Sequence, residues 1–285
     1  MTPLRLGTRG SALALVQARA VAALLDGPTE IVEITTAGDV DRARGDKSRW
    51  TGALEAALVA GDIDLAVHSA KDVPSALAPG TAIVAAPRRA EPCDALVGER
   101  SLEAVREGAR VGTSALRRRA QLLAARPDLD VVDLRGNVDT RLRKLAAGEV
   151  DVLVLAAAGL ERLGRGPFAR LPFVPAPGQG VIAVQGRAGS PAAEAALACD
   201  HSPTHAALRE ERAAVAALGA SCRTPVGVFC DGAVVRGFAG RPDGSEWLID
   251  EAPSGASLAE RMLAAGAAEL LATDADLGPV RRSRP

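Results

Sequence analysis

The sequence predicts an α/β protein of two similar lobes joined by two crossings, with a smaller α+β unit after them. Three observations predict this. A strand, a Gly-Thr pair, a serine and a helix occur twice, around Gly7-Thr8 to Ser11-Ala12-Leu13 and around Gly112-Thr113-Ser114-Ala115-Leu116. Proline-bearing stretches at 85–92 and 172–180 stand where a chain would leave the first lobe and return to it. Beyond residue 200, strand–helix alternation gives way to one long helix and several short strands divided by turn residues. Two crossings of this kind make a hinge. The expected divisions are 1–87 with 181–199, 88–180, and 200–285.

The elements follow in order. Residues 4–8 read as a strand, and Ser11 as the N-cap of a helix with apolar positions at Leu13, Val16, Ala20 and Leu24. Residues 31–36 are the next strand. Residues 39–49 almost lack apolar side chains and read as a mobile loop over a cleft, carrying Lys47. Trp50 is either a core anchor or a lid aromatic, and helix 52–60 follows it. Residues 63–67 are an apolar run after Gly61-Asp62, a buried parallel strand. It ends in His68, Ser69, Lys71 and Asp72 before Pro74 blocks regular structure. In the second lobe, strand 131–134 ends at Arg135, Arg141 falls in the first turns of the next helix, and 151–155 is another buried strand. Residues 181–184 return to the first lobe. Helix 204–218, a loop holding Cys222, antiparallel strands at 226–230, 233–238 and 247–249, and helix 257–271 complete the third unit. The tail 279–285 reads as disordered.

Composition narrows the function. Hydrophobic residues make up 48% of the 285, yet aromatics are only 2% and tyrosine is absent, so stacking platforms for single-stranded nucleic acid are not expected. A net charge of -1 argues against a general polyanion binder. No apolar run reaches the ~18 to 20 residues of a membrane span. Arg5 and Arg9 interrupt any signal-peptide pattern, so the expected compartment is cytoplasmic. Cys93, Cys199, Cys222 and Cys230 lack CxxC or CxxH spacing, so no metal is expected. Only Lys47, Lys71 and Lys144 are lysines among 34 basic residues; a lysine kept where arginine is the habit marks a flexible point charge.

Chemistry concentrates at the ends of strands. An acid beside an amine, Asp72 and Lys71, stands where an open sheet places its ligands. The two helix starts offer backbone N–H groups, hydroxyls and arginines to an anion. In Thr8-Arg9-Gly10-Ser11, Val67-His68-Ser69-Ala70-Lys71-Asp72-Val73-Pro74, Gly112-Thr113-Ser114, Leu134-Arg135-Gly136-Asn137, Gly159-Leu160-Glu161-Arg162, Pro177-Gly178-Gln179-Gly180 and the Cys222 loop, the chain resembles the porphobilinogen deaminase (hydroxymethylbilane synthase) family. These segments span residues 8 to 227 in the family's order.

The resemblance implies a fold: two periplasmic-binding-protein-like (type II) lobes plus a small α+β C-terminal domain. It implies a reaction: four porphobilinogen units are joined head to tail with loss of ammonia, and the linear tetrapyrrole is released by hydrolysis. The primer it implies is dipyrromethane, covalently held by Cys222, whose small-residue loop and neighbouring Arg223 suit a partly exposed thiolate. Each pyrrole carries two carboxylates, which arginine forks match. The resemblance therefore assigns Lys71, Ser11, Thr113, Arg117, Arg118 and Gln179 to the cofactor. It assigns Arg9, Arg135, Arg141, Arg162 and Lys47 to the substrate. Asp72 becomes the catalytic carboxylate, placed to stabilise azafulvenium-like cations and manage protons. A monomer passing its product to a cyclising enzyme is implied as well.

Departures from the family pattern exist. Gly45-Asp46-Lys47-Ser48-Arg49-Trp50 lacks the usual flanking glycines, Ala115 replaces a serine, Ala220 and Ser221 replace glycines, and Cys93 stands where arginine is frequent. Two rivals fit parts of the pattern: a two-lobed binding module for a small carboxylate, and a phosphate-cradling transferase. The second lacks a Gly-rich lysine loop.

Overall fold

The structure is a computed structural model that describes residues 2–36, 48–220 and 224–271. The chain begins with β1 (Leu4–Thr8), α1 (Ala12–Ala22), β2 (Thr29–Glu33), α2 (Ser48–Ala60), β3 (Leu65–Ser69) and β4 (Thr81–Ala85). It crosses over and continues with β5 (Asp94–Val97), β6 (Arg110–Gly112), α3 (Leu116–Ala125), β7 (Asp130–Val132), α4 (Val138–Ala146), β8 (Val152–Ala156), α5 (Ala157–Arg162) and β9 (Ala169–Leu171). After the return come β10 (Ile182–Arg187), α6 (Pro191–Ala195), α7 (Ser202–Ala217), β11 (Val226–Cys230), β12 (Val235–Gly240), β13 (Trp247–Ala252), α8 (Gly255–Ala264) and α9 (Ala267–Leu271).

Two five-stranded sheets repeat one plan, with orders β2-β1-β3-β10-β4 and β7-β6-β8-β5-β9. In each, the fourth strand is antiparallel and is the one that directly follows a crossing: β10 in the first, β5 in the second. The molecule is thus a two-lobed α/β protein with a three-stranded antiparallel unit, β11-β12-β13, attached. The sequence reading of residues 63–67 as a buried parallel strand holds on one side only. β3 is parallel to β1 on one side and antiparallel to β10 on the other, because the returning chain enters beside it.

Period-two alternation explains the packing. Leu65 and Val67 on β3 join Ala18 and Val21 of α1 on one face, while Ala66 joins Leu54 and Leu58 of α2 on the other. In the second sheet, Val152 and Val154 pack with Leu122 of α3, and Leu153 and Leu155 pack on the opposite face with Leu160 of α5. In the third unit α7 and α8 cover the sheet through Ala214, Val228, Leu258 and Met262. The single C-terminal helix read from sequence is broken: α8 ends at Ala264, Gly266 adopts φ +90, and α9 restarts. A glycine tolerates that left-handed backbone at no steric cost.

Candidate functional site

The parallel strands of both lobes direct their carboxyl ends at one crevice. β1 delivers Arg9; β3 delivers a 3₁₀ turn, Ala70–Asp72, with Lys71 and Asp72; β6 leads into Ser114 and α3; β7 leads to Arg135. The turn after β3 is anchored where the Ala70 N–H donates to Val181 O and the Val73 N–H to Ala70 O. The crevice is a cavity of about 450 Å³ bordered by Arg9, Ser11, Lys71, Asp72, Arg118, Arg135, Arg141 and Arg162 among others. A second cavity, about 440 Å³, shares Lys71, Asp72, Ser114, Arg118 and Arg141 with it and extends to Ala220 and Thr224. Those two residues flank the segment that holds Cys222.

The cations are fixed from behind. Asp94, fully buried at the start of β5, accepts from Arg117 at 2.6 and 3.0 Å and from Arg118 at 2.8 Å. Burial alone would raise the Asp94 carboxyl, but the charges of Arg117 and Arg118 outweigh it and hold it well below the usual carboxylate range. Gln179 donates to Asp94 and accepts from Arg118, and Arg117 also donates to Val174 O. Arg141 donates to Ser114 Oγ and to Gly136 O, and burial pulls its pKa down to about 10. Arg162 donates to Gly180 O on the return crossing. Arg135 pairs with Asp133 at 2.9 Å. The Arg9 guanidinium lies 4.1 Å over the Trp50 ring, which borders the cavity, so Trp50 faces the cleft. Lys71 is pulled down to about 8, first by burial and then by Arg118, with Asp72 opposing.

The structure distributes the sequence candidates unevenly. Ser11, Lys71, Asp72, Arg9, Arg118, Arg135, Arg141 and Arg162 border the larger cavity, while Arg117 and Gln179 border the second. Thr113 is buried, its hydroxyl accepts from the Ala115 N–H, and the neighbouring Ser114 borders the cavities instead. The two helix starts are therefore not equivalent. Ser11 caps α1 by accepting from Ala14 N, whereas α3 begins after Ala115 with no side-chain cap. Lys47 and Cys222 lie outside the described residues. Asp94 was missed from sequence; its signal was an acid opening an apolar strand in a chain whose adjacent Arg117 and Arg118 need a buried counter-charge.

Comparison with known proteins decides the family. The family model described as "Porphobilinogen deaminase, dipyromethane cofactor binding domain" matches residues 4–195. The chain belongs to the porphobilinogen deaminase family. A porphobilinogen deaminase from Roseiflexus castenholzii is 47% identical, covering 94% of this chain and 98% of its own. One from Rubrobacter xylanophilus is 45% identical over 93% and 95%. A periplasmic substrate-binding protein of Coxiella burnetii aligns at 17% identity over 70% of this chain and 93% of its own, with a TM-score of 0.44, a likeness too loose to carry an argument. This porphobilinogen deaminase family member is accordingly a transferase of porphyrin biosynthesis with hydroxymethylbilane synthase activity, and its cofactor is dipyrromethane.

The residues present fit that cofactor. Two joined cavities lined by a half-buried amine and guanidinium groups suit a two-ring group carrying carboxylates, and the second reaches both flanks of the segment that holds Cys222.

Proposed function

We propose that Asp72 is the catalytic carboxylate of this chain's hydroxymethylbilane synthesis, with the two joined cavities dividing cofactor from substrate. The supporting observation is that Asp72 is the one carboxylate, among the described residues, bordering both cavities. Asp139, the other acid on the larger cavity, is engaged by Arg165 at 2.9 Å. Bound dipyrromethane, attached through Cys222, supplies the free pyrrole α-carbon to which the first substrate unit is joined. Lys71, Ser11, Thr113, Arg117, Arg118 and Gln179 hold or frame it: Lys71 and Arg118 face its carboxylates, and Arg117, Gln179 and Thr113 brace the wall through their buried bonds. Arg9, Arg135, Arg141 and Arg162 receive the carboxylates of incoming porphobilinogen, and Lys47 is assigned to the same substrate.

Loss of ammonia from the porphobilinogen aminomethyl group leaves a cation. The Asp72 carboxylate stabilises it electrostatically and then takes the proton that the attacked pyrrole must lose. The surrounding cations anchor the propionate and acetate arms. We place the division of the chain at 1–87 with 181–199, 88–180 and 200–285, and read the protein as a cytoplasmic monomer passing a linear tetrapyrrole to a cyclising enzyme.

The test is Asp72→Ala. The variant is expected to fold, to carry the mass of two deaminated pyrrole units when supplied with cofactor, and to lose about 10²- to 10⁴-fold in kcat. Near-normal turnover overturns the assignment. Native mass spectrometry with limiting porphobilinogen is expected to show a ladder of covalent adducts, absent in Cys222→Ser. A protein that binds porphobilinogen without any adduct would instead be the binding module.

A further inference from the structure

Behind Asp72 lies a small cavity of about 70 Å³, walled by His68, Thr51, Gln17, Ser69, Arg9 and Asp72 among others. Among the described residues, three polar atoms in this part of the first lobe are buried without a hydrogen-bond partner: His68 Nε2, Thr51 Oγ1 and Gln185 Oε1. His68 is 5% exposed, Thr51 1% and Gln185 0%. Orphaned buried groups of this kind are costly and call for an explanation.

Strand register brings two of them to the same face. Ala183 of β10 stands opposite His68 of β3, and Gln185 lies two residues further along, so Gln185 and His68 share the α2-facing side. The Gln185 amide is fixed from outside: its Nε2 donates to Glu55 Oε1 at 2.9 Å and to Thr81 Oγ1 at 2.8 Å. That leaves its Oε1, which can only accept, on the face it shares with the unpartnered Nε2 of His68. An acceptor at that position selects the Nε2–H tautomer, which leaves Nδ1 as an acceptor for the cavity that His68 walls.

We propose that His68 is a positioning residue for the catalytic carboxylate: Gln185 holds it in the Nε2–H tautomer, and through Nδ1 it orients an ordered water in the small cavity that also donates to Asp72. The cavity has room for a water, whose share of liquid volume is about 30 Å³, and offers it polar partners in His68, Thr51 and Asp72. Ser69 Oγ is already committed to Gln17 at 2.9 and 3.1 Å, so it does not compete. Burial pushes the His68 imidazole down to about 4 against the opposing pull of Glu55 and Asp72, with Arg9 adding to the depression. It is therefore neutral at working pH, as an accepting Nδ1 requires. The proposal rests on the reading of Asp72 given above, but its first test does not.

That test uses the holoenzyme labelled with ¹⁵N-histidine. There are three histidines, His68, His201 and His205, so ring correlations are few, and His68→Asn assigns the one of interest. The expected result is a neutral Nε2–H ring from pH 6 to 9, with Nδ1 shifted as a hydrogen-bond acceptor. An Nδ1–H tautomer or an imidazolium at pH 7 overturns the proposal, whatever Asp72 does. Kinetics add a second readout. His68→Phe is expected to keep KM and cofactor attachment while kcat falls about tenfold, and His68→Asn, which can still accept, to recover most of it. Equal kcat in wild type and a folded His68→Phe also overturns it. If His68→Phe does not fold, the resonance assignment in the wild-type chain still decides.

Discussion

Lys71 shows how one residue's chemistry is set by what surrounds it. An amine on a turn between two lobes is legible in sequence as a point charge; that it is half-buried near the charge of Arg118 is not. Burial and Arg118 together bring its pKa to about 8, with Asp72 pulling the other way. The sign follows: below about pH 8 the ammonium is present, and as pH rises through that value the cation is lost. Cofactor-free protein is therefore expected to acquire dipyrromethane less readily at pH 9 than at pH 7, read as the fraction of cofactor-bearing mass over time. Lys71→Gln is expected to acquire it slowly at both. Asp94 makes the complementary point. It makes no contact with either cavity, yet it orients Arg117 and Arg118, and its role emerges only when three distant segments close around it. Sequence motifs point to groups that face a ligand more readily than to groups that hold those groups.

At the scale of elements, the turn Ala70–Asp72 and the return crossing are fitted against each other. Gly178 adopts φ +73, and a Cβ there would stand 2.9 Å from the Ala70 Cβ and 3.0 Å from the Lys71 nitrogen. Gly178→Ala thus combines backbone strain with a collision against the turn that carries Lys71 and Asp72. A stability loss of about 1 kcal/mol or more is expected in urea denaturation, together with a clear fall in kcat. Gly148, with φ +72 and open space around it, supplies the control: Gly148→Ala is expected to cost stability and leave kcat unchanged. The repeated strand–Gly-Thr–Ser opening announced two lobes correctly, but equal motifs did not make equal helix starts. Ser11 caps its helix, while Ser114 is drawn to Arg141 and leaves α3 uncapped by any side chain.

For the whole molecule, one buried carboxylate ties together both crossings and the third unit. Glu211 of α7, with no exposure, accepts from Arg89 on the outgoing crossing, from Gly178 N on the return crossing at 2.6 Å and from Cys230 N of β11 at 2.9 Å. Arg89 in turn donates to Gln179 O and lies 4.7 Å over the Phe229 ring. Glu211→Ala takes the carboxylate from a largely buried guanidinium and leaves two N–H groups unmatched, and breaking a buried pair in this way costs about 3–5 kcal/mol. Calorimetry is expected to show a markedly lower Tm, and limited proteolysis an earlier cut at the crossings. A variant melting within a degree of wild type would show that the junction does not hold the three parts together.

The sequence by itself determined the two-lobed plan, the family and most of the cleft's cations, because strand and helix periodicity, Gly-Thr-Ser turns and Arg-bearing motifs are local patterns that survive in a linear text. Tertiary structure alone decided which arginines border the cavities and that Arg117 and Arg118 are tied to Asp94. It also decided that β3 takes an antiparallel neighbour, that Trp50 meets Arg9, and that Glu211 and His68 sit where they do. Those outcomes depend on burial and on partners from 19 to 122 residues away, and desolvation and charge pairing act through space with no regard for separation along the chain.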